Sequence, residues 1–312
     1  MKKLIYLIWL SPHSLLIMTT LMWAGHVSVL KVSIGEISPM LLMGFRWIGC
    51  FIILSFYFWS DIKKYVPSVK KRLPWVGIMG GIGMGGFTMC LIVAAHFTSA
   101  INLGITQSFI PALVMILGLL IFKTSISKVQ VFGLGLSILG TLILVSKGSA
   151  QALISLKFNS GDLIMLVGCF CYAGYTLGLS KRINMPPAIM FTFFSFFASL
   201  TLSGGIFIEY LNGELIWPSI KGGAIILYCI VFPSIIAQTF FMRGVELIGA
   251  NRAGLYVNLV PVFTALIAII FLSERLFLFH GLSLLLVLSG IFITERFKDL
   301  PKKNSTRFFF KN

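Results

Sequence analysis

Ten stretches of about 20 mostly apolar residues, the length that an α-helix needs to cross the hydrocarbon core of a bilayer, dominate this sequence. The connections between them are short, so no soluble domain fits between two runs. The pattern predicts an all-α membrane protein with ten transmembrane helices. The runs cover residues 14–34, 38–58, 75–95, 99–121, 129–146, 161–180, 188–208, 222–243, 250–272 and 278–295.

The composition suits a chain that is embedded in lipid. Hydrophobic residues make up 58% of the 312 residues and charged residues only 11%, whereas soluble domains carry about 25% charge. The net charge is +16, but the basic residues lie between apolar runs and form no aromatic-interleaved face, which argues against nucleic acid as a partner. The five cysteines lie within apolar runs, and their spacing predicts neither a metal site nor a disulfide framework. We expect no cofactor.

The basic residues are distributed unevenly between the two sets of connections. If the N-terminus lies inside, 19 of the 25 Lys and Arg residues fall on the inner side and 5 on the outer side. Segments rich in Lys and Arg are retained on the cytoplasmic side of a membrane. The sequence therefore predicts an integral protein of a bacterial-type inner (plasma) membrane with both termini in the cytoplasm.

Two terminal segments flank the apolar runs. Residues 1–13 carry Lys2 and Lys3 and a short apolar stretch, but no small-residue cleavage site follows, so we interpret them as a cytoplasmic lead-in and not as a signal peptide. Residues 296–312 form a basic tail, which we place on the same side of the membrane.

An internal repeat divides the chain into residues 14–146 and 161–295. A shift of 149 residues places Trp23-Ala24-Gly25 on Tyr172-Ala173-Gly174. Each half holds five runs, an odd number, so the second half enters the membrane from the opposite side. Inverted repeats are typical of alternating-access transporters, with the substrate site where the repeats meet. A shift of 150 residues places Ala100 on Ala250, Gly104 on Gly254, Pro111 on Pro261 and Gly140 on Gly290.

Several short motifs carry a resemblance to a known family. The first half contains Met22-Trp23-Ala24-Gly25, Ser38-Pro39 and Phe45-Arg46-Trp47. The second half contains Ala250-Asn251-Arg252-Ala253-Gly254, Leu259-Val260-Pro261 and Leu272-Ser273-Glu274-Arg275-Leu276. In their order, spacing and duplication, these motifs resemble the drug/metabolite transporter (DMT) superfamily, EamA type, over about residues 14–295.

The resemblance implies a ten-helix transporter of small metabolites. It also implies that the first four helices of each half line a central cavity and that the fifth helix packs behind them. One departure is the bend Lys123-Thr124-Ser125 in the first half, which lacks the acidic residue of Ser273-Glu274-Arg275 in the second.

Together these features predict an inner-membrane transporter, and more specifically an exporter of small metabolites such as amino acids, as a monomer or homodimer. An intramembrane enzyme or a channel is the alternative class, and drugs or nucleotide sugars are alternative substrates. A nucleotide sugar would need several basic residues in the cavity, and only Arg46 lies deep within a run. No Asp or Glu lies deep in a run, so we expect a facilitator or an exporter weakly linked to protons through His26.

The candidate site residues are polar or aromatic groups at repeat-matched or mid-run positions. Each candidate could instead serve only helix packing. Pro111 and Pro261 are candidate bends beside the site, because proline frees a backbone carbonyl. The charged candidates Arg46, Glu246 and Glu274 are interpreted as structural, Glu246 through an ion pair with Arg243. For Arg46, contact with a substrate carboxylate is the alternative interpretation. The cavity candidates are Trp23, His26, Gln107, Tyr172, Tyr175, Tyr256 and Asn258.

The third run contains a glycine cluster between Gly77 and Gly86. A phosphate-binding loop would need a strand before it, which this apolar run does not supply. Small residues four apart let helices approach closely, so Gly81 and Gly85 predict tight helix packing.

Overall fold

The computed structural model describes residues 9–124, 126–157, 159–181, 184–271 and 275–296. This part of the chain is helical and contains no strand. Ten of its helices are long and apolar enough to cross a membrane, which confirms the prediction of ten transmembrane helices. We number them α1 (Pro12–Val32), α2 (Pro39–Tyr57), α3 (Leu73–Ala95), α4 (Ala100–Ile121), α5 (Lys128–Val145), α6 (Ser160–Gly178), α7 (Pro187–Leu211), α8 (Ile220–Ile248), α9 (Ala250–Phe271) and α10 (Leu278–Arg296).

Polar caps and an amphipathic helix set the ends of these spans. Ser127 caps α5 and Asn159 caps α6, each in a reciprocal capping box that satisfies free N–H groups of the first turn. The connection between α2 and α3 is itself a helix, Trp59–Lys71, which buries Ile62 and Val69 and carries basic residues on its other side. The basic connection expected between these spans therefore lies along the bundle as a helix.

The two halves interlock through their first helices. Helix α1 packs against α8 and α9 of the second half, and the equivalent α6 packs against α3 and α4 of the first half. Helix α2 packs against its counterpart α7, and α5 packs against its counterpart α10. Each half therefore needs the other half to bury its first helix.

The contact between α5 and α10 is reciprocal. A Cβ atom placed on Gly133 would lie 2.6 Å from the carbonyl oxygen of Gly290, and one on Gly140 would lie 2.9 Å from that of Ser283. At the 150-residue shift Gly133 is equivalent to Ser283, and Gly140 to Gly290, so these are the same contact viewed from either half. Residue numbers rise along α5 and fall along α10 from one contact to the next, so the two helices pack antiparallel, as expected for an inverted repeat.

Both halves carry irregular turns at matched positions. Helix α3 contains a π-helical segment at Ile78–Gly86, and α8 contains one at Val231–Ile236. Helix α4 is interrupted at Phe109, and α9 contains a 3₁₀ turn at Tyr256–Asn258. The interruptions precede Pro111 and Pro261, and Pro111 lies in the first turn of the next helical piece, where its missing N–H leaves no bond unmade.

The glycine cluster forms the contact between α3 and α7. A Cβ atom on Gly80 would lie 2.4 Å from the carbonyl oxygen of Phe194, and one on Gly85 would lie 3.0 Å from the Cα atom of Ala198. The hydroxyl of Thr201 donates a hydrogen bond to the carbonyl of Gly81 at 3.0 Å. The cluster is therefore a helix-packing surface, and its helical conformation excludes a phosphate-binding loop.

Candidate functional site

A cavity of about 1010 Å³ lies between the two halves. Its walls come mainly from α1 to α4 and from α9, with contributions from α5, α6 and α8. It extends to the end of the bundle that carries Lys31, Lys147 and Glu214, which we call the open face. Contrary to the implication of the family resemblance, the fifth helix lines the cavity through Thr141 and Leu144, whereas no described residue of α7 does.

An aromatic layer separates the cavity from the opposite end of the bundle, which we call the closed face. The Trp23 ring lies 6.2 Å from the Tyr172 ring and 5.3 Å from the Phe241 ring, between centroids. Beyond this layer, Nδ1 of His13 and the hydroxyl of Tyr256 are 2.5 Å apart, which joins the start of α1 to α9. These contacts close the cavity towards this end of the bundle.

The guanidinium of Arg46 lies in the floor of the cavity. The residue is only 6% exposed. Its Nε donates to the hydroxyl of Ser234 at 2.5 Å, its Nη1 lies 3.1 Å from Nε2 of His26, and its Cζ lies 4.3 Å from the centre of the Trp47 ring. Within the described residues Arg46 forms no ion pair with a carboxylate. Its protein partners are neutral groups and leave its positive charge uncompensated.

The contact with Arg46 fixes the protonation of His26. A guanidinium N–H can only donate, so Nε2 of His26 accepts and its proton resides on Nδ1. That nitrogen lies 3.4 Å from Sγ of Cys229. A second ring proton would point at the guanidinium, so this geometry holds His26 neutral and leaves Arg46 as the cation of the floor.

The π-helical segment of α8 holds this arrangement in place. Pro233 has no N–H, so the carbonyl of Cys229 accepts instead from the hydroxyl of Ser234 at 2.6 Å. The carbonyl of Pro233 accepts from Nε1 of Trp23 at 3.1 Å. Sequence analysis missed Ser234 and Cys229, although a proline within the run 222–243 marked the irregular turn.

Other polar groups line the cavity around the floor. Nδ2 of Asn258 donates to the hydroxyl of Ser137 at 3.0 Å. The amide of Gln107 makes no hydrogen bond to a described residue and faces the cavity. The hydroxyl of Tyr172 and Nε1 of Trp47 are buried donors that have no partner among the described residues. Of these groups, the Gln107 amide is free to bond a ligand in this conformation.

Of the predicted cavity residues, Trp23, His26, Gln107, Tyr172 and Asn258 line the cavity, as do the bend candidate Pro261 and the structural candidate Arg46.

Two predicted cavity residues, Tyr175 and Tyr256, are not part of the lining of this cavity. Tyr175 follows Tyr172 by about one helical turn; its ring packs against Phe194, and its hydroxyl donates to Oε1 of Gln238 at 3.4 Å. Tyr256 lies on the closed face beside His13. Pro111 also lies outside the cavity lining, because the chain turns before it.

The remaining charged candidates form ion pairs with other side chains of the protein or lie outside the described residues. The ion pair expected between Arg243 and Glu246 is present, with Nη1 and Oε1 2.8 Å apart. Glu274 lies outside the described residues. Sequence analysis missed the ion pair between Arg252 and Glu295, which ties α9 to α10.

A polar clasp at the open face joins the α1–α2 connection to the α7–α8 connection. Glu36 accepts hydrogen bonds from the hydroxyl of Ser219 and from Nζ of Lys221, the latter at 3.1 Å. These donors, Ser219 first and then Lys221, lower the pKa of the Glu36 carboxyl below its usual value. The backbone N–H of Ser38 also donates to the carbonyl of Ile216 at 3.1 Å.

Comparison with known proteins matches both halves to one family. The sequence profile of the EamA-like transporter family matches residues 10–146 and matches again at residues 159–296. The chain is 26% identical over 281 residues to the uncharacterized transporter YyaM of Bacillus subtilis, covering 88% of this chain and 90% of YyaM. It is 25% identical over 286 residues to an uncharacterized transporter of Archaeoglobus fulgidus, covering 90% of this chain and 96% of that protein.

A solved structure shares the architecture. A protein known from its crystal structure aligns with a TM-score of 0.75 at 16% sequence identity, over 91% of this chain and 98% of its own. At this identity the alignment establishes a common fold.

Proposed function

Because this chain belongs to the EamA-like transporter family, we propose that it exports small metabolites, such as amino acids, through the central cavity. The observation that carries the proposal is a cavity of about 1010 Å³ between the two halves that reaches the open face, while the aromatic layer closes its other end. A volume of this size accommodates a metabolite-sized solute. One-sided access is the geometry of an alternating-access transporter in one of its end states.

The charge distribution supports an orientation for this state. The closed face lies on the side where the basic connections, such as the helix Trp59–Lys71, are found. With those connections in the cytoplasm of an inner membrane, the cavity faces outward. Export then requires the aromatic layer at Trp23 and Tyr172 and the contact between His13 and Tyr256 to open towards the cytoplasm.

The residues of the cavity floor argue against tight coupling of transport to an ion gradient. Strongly coupled transporters use a buried acidic side chain as a proton or sodium relay. The described part of the cavity floor contains a cation and neutral polar groups but no carboxylate. Export of a solute that accumulates in the cytoplasm needs no such relay, so we propose facilitated or weakly proton-linked export.

Counterflow in liposomes tests the proposal. The purified full-length protein is reconstituted, and labelled amino acids and small carboxylates outside are exchanged for the same unlabelled solutes inside. Alternating access predicts saturable counterflow for at least one solute. A channel or an intramembrane enzyme would show none, and that result across a broad metabolite panel would refute the proposal.

A cross-link across the closed face makes the test specific to alternating access. His13→Cys and Tyr256→Cys, introduced together after replacement of the five native cysteines, are joined by a short bis-maleimide. We expect the cross-linked protein to lose counterflow and the same protein without cross-linker to retain it. Unchanged counterflow after complete cross-linking would show that the closed face does not open during transport.

A further inference from the structure

We propose that Arg46 binds the carboxylate of the substrate, and that the substrate is therefore an amphipathic monocarboxylate whose amino group, where it has one, is dispensable. This inference rests on the proposed transport function and adds the substrate class. Its starting point is the guanidinium in the cavity floor, which lies about 10 Å from the start of α2 by helical rise.

The charge of Arg46 calls for a partner that the described protein does not supply. A cation within a membrane is costly unless an anion or several hydrogen bonds compensate it. Arg46 has the Ser234 hydroxyl and neutral His26 as polar partners, and the Trp47 ring beside it. All of these groups are uncharged, so a carboxylate that enters the cavity would be the first counter-ion to reach the guanidinium.

The surroundings of Arg46 suit a carboxylate. A guanidinium presents a planar fork of donors that matches the two oxygens of a carboxylate. The Tyr172 hydroxyl and Trp47 Nε1, on residues that line the cavity, have no partner in the described chain, but both atoms are shielded from the cavity in this conformation. The remaining donors of the Arg46 guanidinium are therefore the groups that would hold the anion.

The same region argues against a polyanion and against a need for an amine. Among the described residues of the floor, Arg46 is the single cation, and the two described lysines of the cavity lining, Lys31 and Lys147, lie at the exposed rim. No described residue of the floor is acidic; Glu214 lies at the rim. An ammonium group therefore has no charged partner near Arg46, whereas Phe87 and Leu91 on the wall suit an apolar body.

Matched pairs of solutes test this proposal in counterflow and in thermal unfolding of the purified protein. The probes are phenylacetate, phenylacetamide and phenylalanine, together with the primary amide of every panel solute that exchanges. A bound ligand raises the unfolding temperature in proportion to its affinity and concentration. We expect the carboxylates, with or without an amine, to compete and to stabilise, and each amide to bind about tenfold to a hundredfold more weakly.

Variants of Arg46 identify the anchoring group. Arg46→Gln should remove the preference for the carboxylate over its amide, and Arg46→Lys should keep the preference at reduced affinity. Arg275→Gln, at an exposed position outside the cavity, is the matched control and should behave as the parent protein. The unfolding temperature without ligand shows whether each variant is folded.

The failures of the two proposals are distinguishable. If solutes exchange but acids and amides do so equally, or if the preference for acids survives in folded Arg46→Gln, the carboxylate site is refuted and the transporter stands. If no solute of the panel exchanges or stabilises the parent protein, the transport proposal fails and the carboxylate site fails with it.

Discussion

The two halves of the molecule share a scaffold but differ in their chemistry. In the first half, His26 and Arg46 lie side by side in the floor of the cavity. At the 149-residue shift the equivalent residues of the second half are Tyr175 and Ser195. Tyr175 packs against Phe194, and the hydroxyl of Ser195 donates to the carbonyl of Thr192 in its own helix.

This comparison distinguishes the features that both halves share from the features that only one half has. The interlocked first helices, the α5–α10 contact and the irregular turns of α3 and α8 recur in both halves and build the frame. The cation has no counterpart. Substrate recognition in this account is therefore a property of the first half, with Ser234 of the second half as its support.

The largest effect is expected from the position that differs most between the halves. Arg46→Gln should lower the transport of carboxylates about tenfold to a hundredfold, because a hydrogen bond to a charged group contributes about 1.5–3 kcal/mol. The equivalent Ser195→Ala should leave transport near the parent rate, because Ser195 bonds only within its own helix. Initial counterflow rates of the two variants provide the test, and equal losses would contradict a site that belongs to the first half.

The symmetric part of the frame predicts equal effects from equivalent changes. The equivalent changes Gly140→Ala and Gly290→Ala should each destabilise the protein by about 1–3 kcal/mol, because each added methyl would overlap the facing helix. Gly135→Ala is the control, since no atom outside its own helix lies within 4 Å. Thermal unfolding in detergent measures all three. A loss of stability in only one of the two glycine variants would contradict the equivalence of the two contacts between α5 and α10.

The two π-helical segments provide a sharper comparison. Ser234→Ala should weaken carboxylate binding by about fivefold to tenfold and also lower stability, because one hydroxyl supports both Arg46 and the carbonyl of Cys229. Thr201→Ala, which removes the hydroxyl at the α3 segment, should lower stability alone. Ligand-induced shifts of the unfolding temperature distinguish the two variants. Equal binding losses would place recognition outside the α8 segment.

The smallest effect is expected at the clasp of the open face. The Glu36 carboxyl, whose pKa is lowered by Ser219 and Lys221, stabilises the fold while it is ionised. A group with a depressed folded pKa contributes above the ordinary carboxyl value, and the contribution disappears as the pH falls through the folded pKa. Glu36→Gln should therefore lower the unfolding temperature slightly at neutral pH and not in acid. A difference that grew on acidification would contradict the clasp.

The sequence predicts the frame well because the bilayer imposes strict requirements. The length of the apolar runs predicts where the membrane-spanning helices lie. The presence of five runs in each half, together with the bias of Lys and Arg to one side, predicts the inverted repeat. The site was harder to predict, because the face that each residue presents depends on helix packing. Tyr175 differs from the cavity-lining Tyr172 by only about one turn and points elsewhere, and Ser234 reaches Arg46 only because Pro233 interrupts regular hydrogen bonding.

An iodinated carboxylate tests the central claim, that the asymmetric floor of a symmetric frame binds the substrate. Crystals of the full-length protein soaked with iodophenylacetate, or with the iodinated form of a solute shown to exchange, locate the ligand by anomalous scattering. The account predicts iodine in the central cavity and the carboxylate within hydrogen-bond distance of the Arg46 guanidinium. A carboxylate bound in the cavity away from Arg46, or iodine found only outside the cavity, would contradict it.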